Sequence, residues 1–247
     1  MQRFLLLLIL LLPAGSSHGK SLTFASIRSV QKSLAARRVL EKAWAELGYQ
    51  LKFVPHPGRR GLVEANAGRI DGLVQRLPVI EKIYPHLRRI TPAVSELRIT
   101  VFSATADFPV RGWSSLPPRS VVILRGVKIL EEKTAGMKRL FVDSIHAGFQ
   151  VLATGRADLG VFAELNGRLM LRHGEFQRIR MLQPPLAQKP MYHYLHRRHV
   201  ALIPRISATL HKMQAAGTIA VIHTRTTQEM LAAPPAPLPV RQQPADR

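Results

Sequence analysis

The chain contains no cysteine. That excludes disulfides, and it excludes a lipid anchor built on an N-terminal cysteine. Acidic residues are scarce: 15 Asp and Glu stand against 36 Lys and Arg, a formal net charge of +21. Such a balance favours anions, anionic lipid surfaces or nucleic acid over cationic partners. Aromatic residues make up 6%, and no aromatic-plus-basic recognition motif is visible. The arginines come in scattered pairs (Arg37-Arg38, Arg59-Arg60, Arg88-Arg89, Arg197-Arg198) and form no long run. This reads as a solvated basic surface, so no nucleic-acid partner is expected. After the first dozen residues no stretch is long and apolar enough to cross a membrane. Ser-His-Asp, Walker and Gly-rich nucleotide fingerprints are also missing.

What is present points to export and to a packed core. Apolar residues are 46% of 247, enough for one large domain or two smaller lobes. Arg3 precedes an apolar run from Phe4 to Leu12, then Pro13 and small residues. This is the pattern of a secretory signal peptide, too short for a bilayer span. Cleavage is expected between Ala14 and Ser21, most simply after Gly19, so that residues 1–19 form the signal. The mature product is expected to be free, soluble and periplasmic.

One tetrapeptide pattern, Gly-Arg-X-Asp, occurs in "NAGRIDGLVQR" and again in "ATGRADLGVF". Each time a helical stretch precedes it and an apolar run follows. Gly68 and Gly155 supply a left-handed helix stop, and Asp71 and Asp158 are turn residues able to bond local backbone donors. Around the first copy the order is strand (22–26), helix with Ala36, Leu40, Ala43, Trp44 and Leu47 on one face, strand ("YQLKFVP"), short helix ("GRRGLVEANAG") and strand (70–74). Around the second it is strand ("SVVIL"), helix ("VKILEEKTAG"), strand ("KRLFV"), helix ("SIHAGFQVLATG") and strand ("ADLGVF"). Both are β-α-β-α-β series with parallel sheets. Two α/β lobes follow, joined by antiparallel crossings at 95–104 and 189–198. Residues 20–102 plus 195–225 are expected to form lobe 1 and 103–194 lobe 2. A helix at 204–216, with Ile206, Leu210 and Met213 on one face, is expected to dock on lobe 1. The Pro-rich end, 226–247, is expected to be a disordered tail.

The stretches "RGLVEANAGRIDGLVQR", "YPHLRRI", "GWSSLPPRSVVILRG", "VLATGRADLGV" and "KPMYHYLHRRH" resemble the family 3 periplasmic solute-binding proteins over residues 20–225. The resemblance is to a less characterised branch. It implies a two-lobed type II fold, α/β throughout, and a small solute held between the lobes for an ABC permease. It also implies a monomer without cofactor. The family's amino-acid receptors grip the ligand carboxylate with an Arg after the third strand and the ammonium with an Asp after the second lobe's "AD" strand. The nearest matches here are Glu81-Lys82, one residue short, and Ala163 with Glu164 beside it. One feature carries over: the basic residue at a strand-to-helix turn of lobe 2 matches Arg125, followed by Gly126.

Ligands bind open α/β sheets at the carboxyl ends of strands. Candidate ligand contacts are therefore Arg125 with the Gly126 helix start, Arg76 after the third strand, Arg28 after the first, Arg60 at the second helix, Glu164, and Tyr192 in the second crossing. Arg76 and Arg125 are expected to share an anionic group. His193, His196 and His199 have neither strand spacing nor neighbours suited to a metal, so none is assigned. A dehydratase-like enzyme with Glu164 as general acid and a basic protein that binds anionic polymers are the alternatives.

Overall fold

In a computed structural model, residues 20–27, 33–235 and 237 are described. The signal segment 1–19 and Arg28 lie outside the described residues. Strands β1 (Lys20–Ile27), β2 (Tyr49–His56) and β3 (Gly72–Arg76) alternate with helices α1 (Leu34–Ala45) and α2 (Gly58–Asn66). They form a parallel sheet in the order β2-β1-β3. The third strand begins two residues later than the sequence suggests and runs on to Arg76. After β4 (Leu87–Arg89) and the long β5 (Ser95–Ser103), a second parallel set appears. It comprises β6 (Val121–Leu124), β7 (Arg139–Val142) and β8 (Leu159–Ala163), ordered β7-β6-β8, with helices α3 (Lys128–Lys133) and α4 (Ile145–Ala153) between them. Helix α5 (Glu164–Met170) follows, then β9 (Arg180–His196), α6 (Ile203–Ala215) and α7 (Thr218–Ala232).

The repeated tetrapeptide does the same job twice. Gly68 and Gly155 are left-handed, at φ 72° and 69°. Arg69 and Arg156 then donate their amides back to Glu64 and Val151, at 3.1 and 3.0 Å. This is the Schellman closure of a helix, and glycine is the residue that adopts it without strain. The Asp that follows reaches further than a local turn. Asp71 Oδ2 accepts the Thr23 amide of β1 at 2.7 Å, and Asp158 Oδ2 accepts the Ser120 amide at the start of β6 at 3.1 Å. Each carboxylate thus clips its own strand to the next one over, in the same register in both sheets. Burial pushes the Asp71 carboxyl up, but the Thr23 amide, Arg198 and His199 outweigh it and leave it below its ordinary value.

Apolar residues on both faces of each sheet build the core. In the first, Phe24, Val39, Leu40, Trp44 and Leu195 pack with Ile206, Leu210 and Met213 of α6. In the second, Phe102, Phe149, Phe162 and Phe176 form an aromatic cluster under α4. A buried ring of this size contributes about 2–3 kcal/mol. Gly72 marks a close approach: a Cβ there would sit 2.0 Å from the Tyr194 carbonyl oxygen of β9.

Three boundaries differ from the sequence reading. Strand β9 is 17 residues long, where a ten-residue crossing at 189–198 was expected. Residues 99–102 of β5 pair with β8 in the second sheet, and 192–195 of β9 pair with β3 in the first. The chain therefore changes sheet earlier than boundaries at 102/103 and 194/195 imply. The end of the chain stays helical to Ala232 in α7, so the segment 226–232 is not tail. Its buried Thr226 and its Glu229 hold Arg38 of α1, His223 Nε2 donates to the Val94 carbonyl at 2.7 Å, and Arg172 donates to the Met230 carbonyl.

Candidate functional site

Strand register fixes where the two sheets confront each other. Tyr192 of β9 lies opposite Arg76, the last residue of β3, and Leu195 lies opposite Gly72, the first. So β9 enters the first sheet at its carboxyl edge. In the second sheet Ile99 of β5 lies opposite Ala163, the last residue of β8, and Phe102 opposite Gly160. β5 therefore enters the second sheet at its carboxyl edge, and β9, antiparallel to β5, leaves there. The carboxyl edges of both sheets thus face the same two-stranded crossing, with Ser95 opposite Met191 at its lobe-1 end. Open α/β sheets bind ligands at this edge.

On the first edge, every residue of β3 is buried, and Arg76 is only 7% exposed. Its Nη1 donates to the Gln75 carbonyl at 2.7 Å. Burial pushes its pKa down to about 10, against an opposing contribution from Tyr84. The first turn of α2 backs it: a Cβ on Gly61 would lie 3.7 Å from Arg76 Nη2. Opposite, the Tyr192 ring carries the Arg89 guanidinium 5.0 Å above its centroid, a cation–π contact. Glu81 lies 3.7 Å from Arg89. The Ser95 hydroxyl donates to the Gln75 side chain and ties the start of the crossing to β3.

On the second edge, Glu164 follows β8 directly and opens α5. It is 12% exposed, accepts Arg98 Nε at 2.7 Å, and lies 3.9 Å from Arg168. Arg125 follows β6, is 62% exposed, donates Nε to Asp143 Oδ1 at 3.1 Å and lies 5.5 Å over Phe141. The Gly126 amide is directed at Glu131 Oε1, 2.7 Å away. A carboxylate of the chain itself thus takes the donor that the sequence marks as an open anion cradle.

No protein-family model matches the chain. It is 25% identical over 190 residues to an uncharacterised protein of Shewanella oneidensis, covering 74% of this chain and 72% of that one. Among solved structures it is similar to the GluR0 ligand-binding core in complex with L-glutamate, with TM-score 0.69 and 13% identity over 88% of this chain and 100% of that one. A histidine kinase sensor domain with similarity to periplasmic binding proteins matches with TM-score 0.66 and 16% identity, over 83% and 95%. An amino acid ABC transporter substrate-binding protein from Streptococcus pneumoniae, bound to L-arginine, matches with TM-score 0.65 and 11% identity, over 88% and 98%. The chain has the type II periplasmic-binding-protein fold.

Within this binding-protein frame the sequence-derived candidates separate. Arg76 and Tyr192 are brought together in one strand pair. Arg60 is exposed on α2, next to Gly61, where an added Cβ would lie 3.7 Å from Arg76 Nη2. Arg125 and Glu164 sit at the second edge, each already bonded to a partner. Arg28 falls outside the described residues. The histidines part company. His193 is fully buried, with Nδ1 2.7 Å from the Leu73 carbonyl and Nε2 3.3 Å from Trp44 Nε1. His199 Nε2 lies 2.6 Å from Asp71 Oδ1, and the His196 ring lies 6.0 Å from that of His86. Among the described residues no group of three or more His, Cys, Asp or Glu is placed to hold a metal, and no helix is long and apolar enough to cross a membrane. Arg98, Arg89 and Tyr84 escape sequence reasoning. Arg98 meets Glu164 across 66 positions, and no local pattern announces such a pairing.

Proposed function

We propose that the protein captures a small polar anion between the carboxyl edges of its two lobes, as the soluble periplasmic component of an ABC-type importer. The observation that carries this reading is Arg76: a buried guanidinium at the end of β3, opposite Tyr192, on the edge that faces the crossing. A guanidinium presents a fork of donors suited to carboxylate, phosphate or sulfonate oxygens. Tyr192 adds a flat apolar face and a hydroxyl beside it. Arg125, after β6 in the second lobe, and Arg60, on α2 in the first, add positive charge around it. The two-stranded crossing allows hinge closure on the bound solute. A neutralised anion between facing arginines favours the closed form over the open one.

The similar solved structures are binding proteins and not enzymes, which agrees with a non-catalytic role. Glu164, the one acid the sequence offers as a proton donor, accepts Arg98 Nε on Oε2 at 2.7 Å and has Arg168 3.9 Å from Oε1. Export through a cleaved signal, a monomeric state and an inner-membrane permease partner belong to this proposal on the sequence pattern and the resemblance.

A thermal-shift screen tests it. Small carboxylates, phosphates and sulfonates are compared with cations of the same size. An anion at about 100 times its dissociation constant raises stability by about 2.7 kcal/mol, a clear rise in Tm. A response only to cations, or to polymeric anions and to no small one, contradicts the reading.

A further inference from the structure

Resting on that reading of the cleft, we infer that the ligand is an anion without an ammonium group, and that Arg98 enforces this choice. The fold alone suggests otherwise, since the GluR0 core and the pneumococcal protein are seen with L-glutamate and L-arginine. An amino acid needs an acid for its ammonium as well as a base for its carboxylate. A buried or half-buried ammonium without a carboxylate partner binds poorly.

The acids that follow the carboxyl ends of the described strands are all engaged. Glu164 accepts Arg98 Nε at 2.7 Å and lies 3.9 Å from Arg168. Asp143, after β7, holds Arg125 at 3.1 Å. Glu81, after β3, lies 3.7 Å from Arg89. Glu131 is turned onto the Gly126 amide. An incoming ammonium at Glu164, Asp143 or Glu81 meets a carboxylate whose charge a guanidinium already offsets, and it lies beside that like charge. An incoming carboxylate enters the same positive surroundings, which attract it, with Arg76 buried at the end of β3 beside them.

Glu164 is the acid best placed to take an ammonium, because it opens the helix directly after β8 and is largely shielded from water. Arg98 reaches it from β5, the crossing strand itself. Arg98 is therefore a specificity-determining residue: it closes Glu164 by supplying the cation internally. Glu96, exposed on the same strand, is the rival acid. It stands within the crossing and not at a strand's carboxyl end.

The experiment is calorimetric titration of the full mature chain with matched pairs that differ only in the amino group: succinate and L-aspartate, glutarate and L-glutamate, 4-methylvalerate and L-leucine. The expected result is a preference of about tenfold or more for the member without the amine. Arg98→Ala narrows the preference by freeing Glu164, Arg98→Lys keeps it, and Glu96→Gln leaves it unchanged. Equal or tighter binding of the amino acid by the wild type overturns the inference, as does an unchanged preference in a folded Arg98→Ala. Loss of amino-acid binding in Glu96→Gln moves the ammonium site to Glu96 and overturns it too. If neither member of any pair binds and the anion screen is also silent, the cleft reading itself fails and carries this inference with it.

Discussion

Lowering the pH should unlock the first lobe through a single imidazole. His193 is fully buried between Trp44 and Phe24. Its Nδ1 faces the Leu73 carbonyl at 2.7 Å, and a carbonyl only accepts, so Nδ1 carries the proton. Nε2 then accepts from Trp44 Nε1–H at 3.3 Å. A second proton on Nε2 would set two N–H groups against each other inside an apolar core. Burial, opposed by the carbonyls of Leu73 and Val74, pushes the imidazole down to about 4 from an ordinary 6.5. The folded state therefore refuses a proton that the unfolded chain accepts. This contribution to stability is complete above pH 6.5 and is lost as pH falls from 6.5 toward 4. At about 1.4 kcal/mol per pH step, the loss by about pH 5 is about 2 kcal/mol. Urea unfolding at about pH 7.5 and about pH 5, for the wild type and for His193→Gln, measures it. The variant starts less stable but lacks the titration, so its loss between the two conditions is smaller by about 2 kcal/mol. Equal losses in the two proteins would refute the assignment of the proton and of the pH dependence to His193.

The two aspartate clips should be unequal. Asp71→Asn loses charge-assisted bonds to the Thr23 amide, Arg198 and His199 and costs about 2–3 kcal/mol in urea unfolding. Asp158→Asn, at a more exposed clip to Ser120, costs under about 1 kcal/mol. Because the Asp71 carboxyl lies below its ordinary 3.8, its contribution is present above that pH and is lost as pH falls below it. Gly72→Ala should abolish folding or cost more than about 3 kcal/mol, since its Cβ would meet the Tyr194 backbone oxygen at 2.0 Å. Gly136→Ala, with nothing within 4 Å, should change stability by under about 0.5 kcal/mol; circular-dichroism melts distinguish the two.

How much was legible in the sequence depended on how local the deciding interactions are. The β-α-β-α-β order of each lobe is carried by short-range periodicity and by glycine helix stops, and both stand as read. The role of Asp71 and Asp158 was half legible: their turn position shows, but their partners lie 48 and 38 residues away. Strand β9 was under-read because Pro184, Pro185 and Pro190 argue against a strand. The structure accommodates Pro184 and Pro185 in a bulge, where the register against β5 jumps between Leu182 and Ala187. Helix α7 was missed because its start is rich in Thr, Val and Ile, weak helix formers, and because it adjoins a Pro-rich end. In the candidate site, the places of Arg76 at a strand's end and of Tyr192 in the second crossing are legible in the sequence. The pairings that set the charge available to a ligand, Arg98 with Glu164 and Arg125 with Asp143, are long-range and leave no local mark.

The central claim, an anion held by Arg76 at the carboxyl edge of the first lobe, is tested most directly by one calorimetric comparison. The anion giving the largest thermal shift is titrated into the wild type, Arg76→Ala and Arg156→Ala. Arg156 is exposed at the opposite, amino-terminal edge of the second sheet, so it reports the effect of losing one positive charge anywhere on a chain of net charge +21. The account predicts that Arg76→Ala weakens binding by roughly 30-fold or more, about 2 kcal/mol, while Arg156→Ala stays within about threefold of the wild type. Binding by Arg76→Ala within about threefold of the wild type, or an equal loss in both variants, would contradict it.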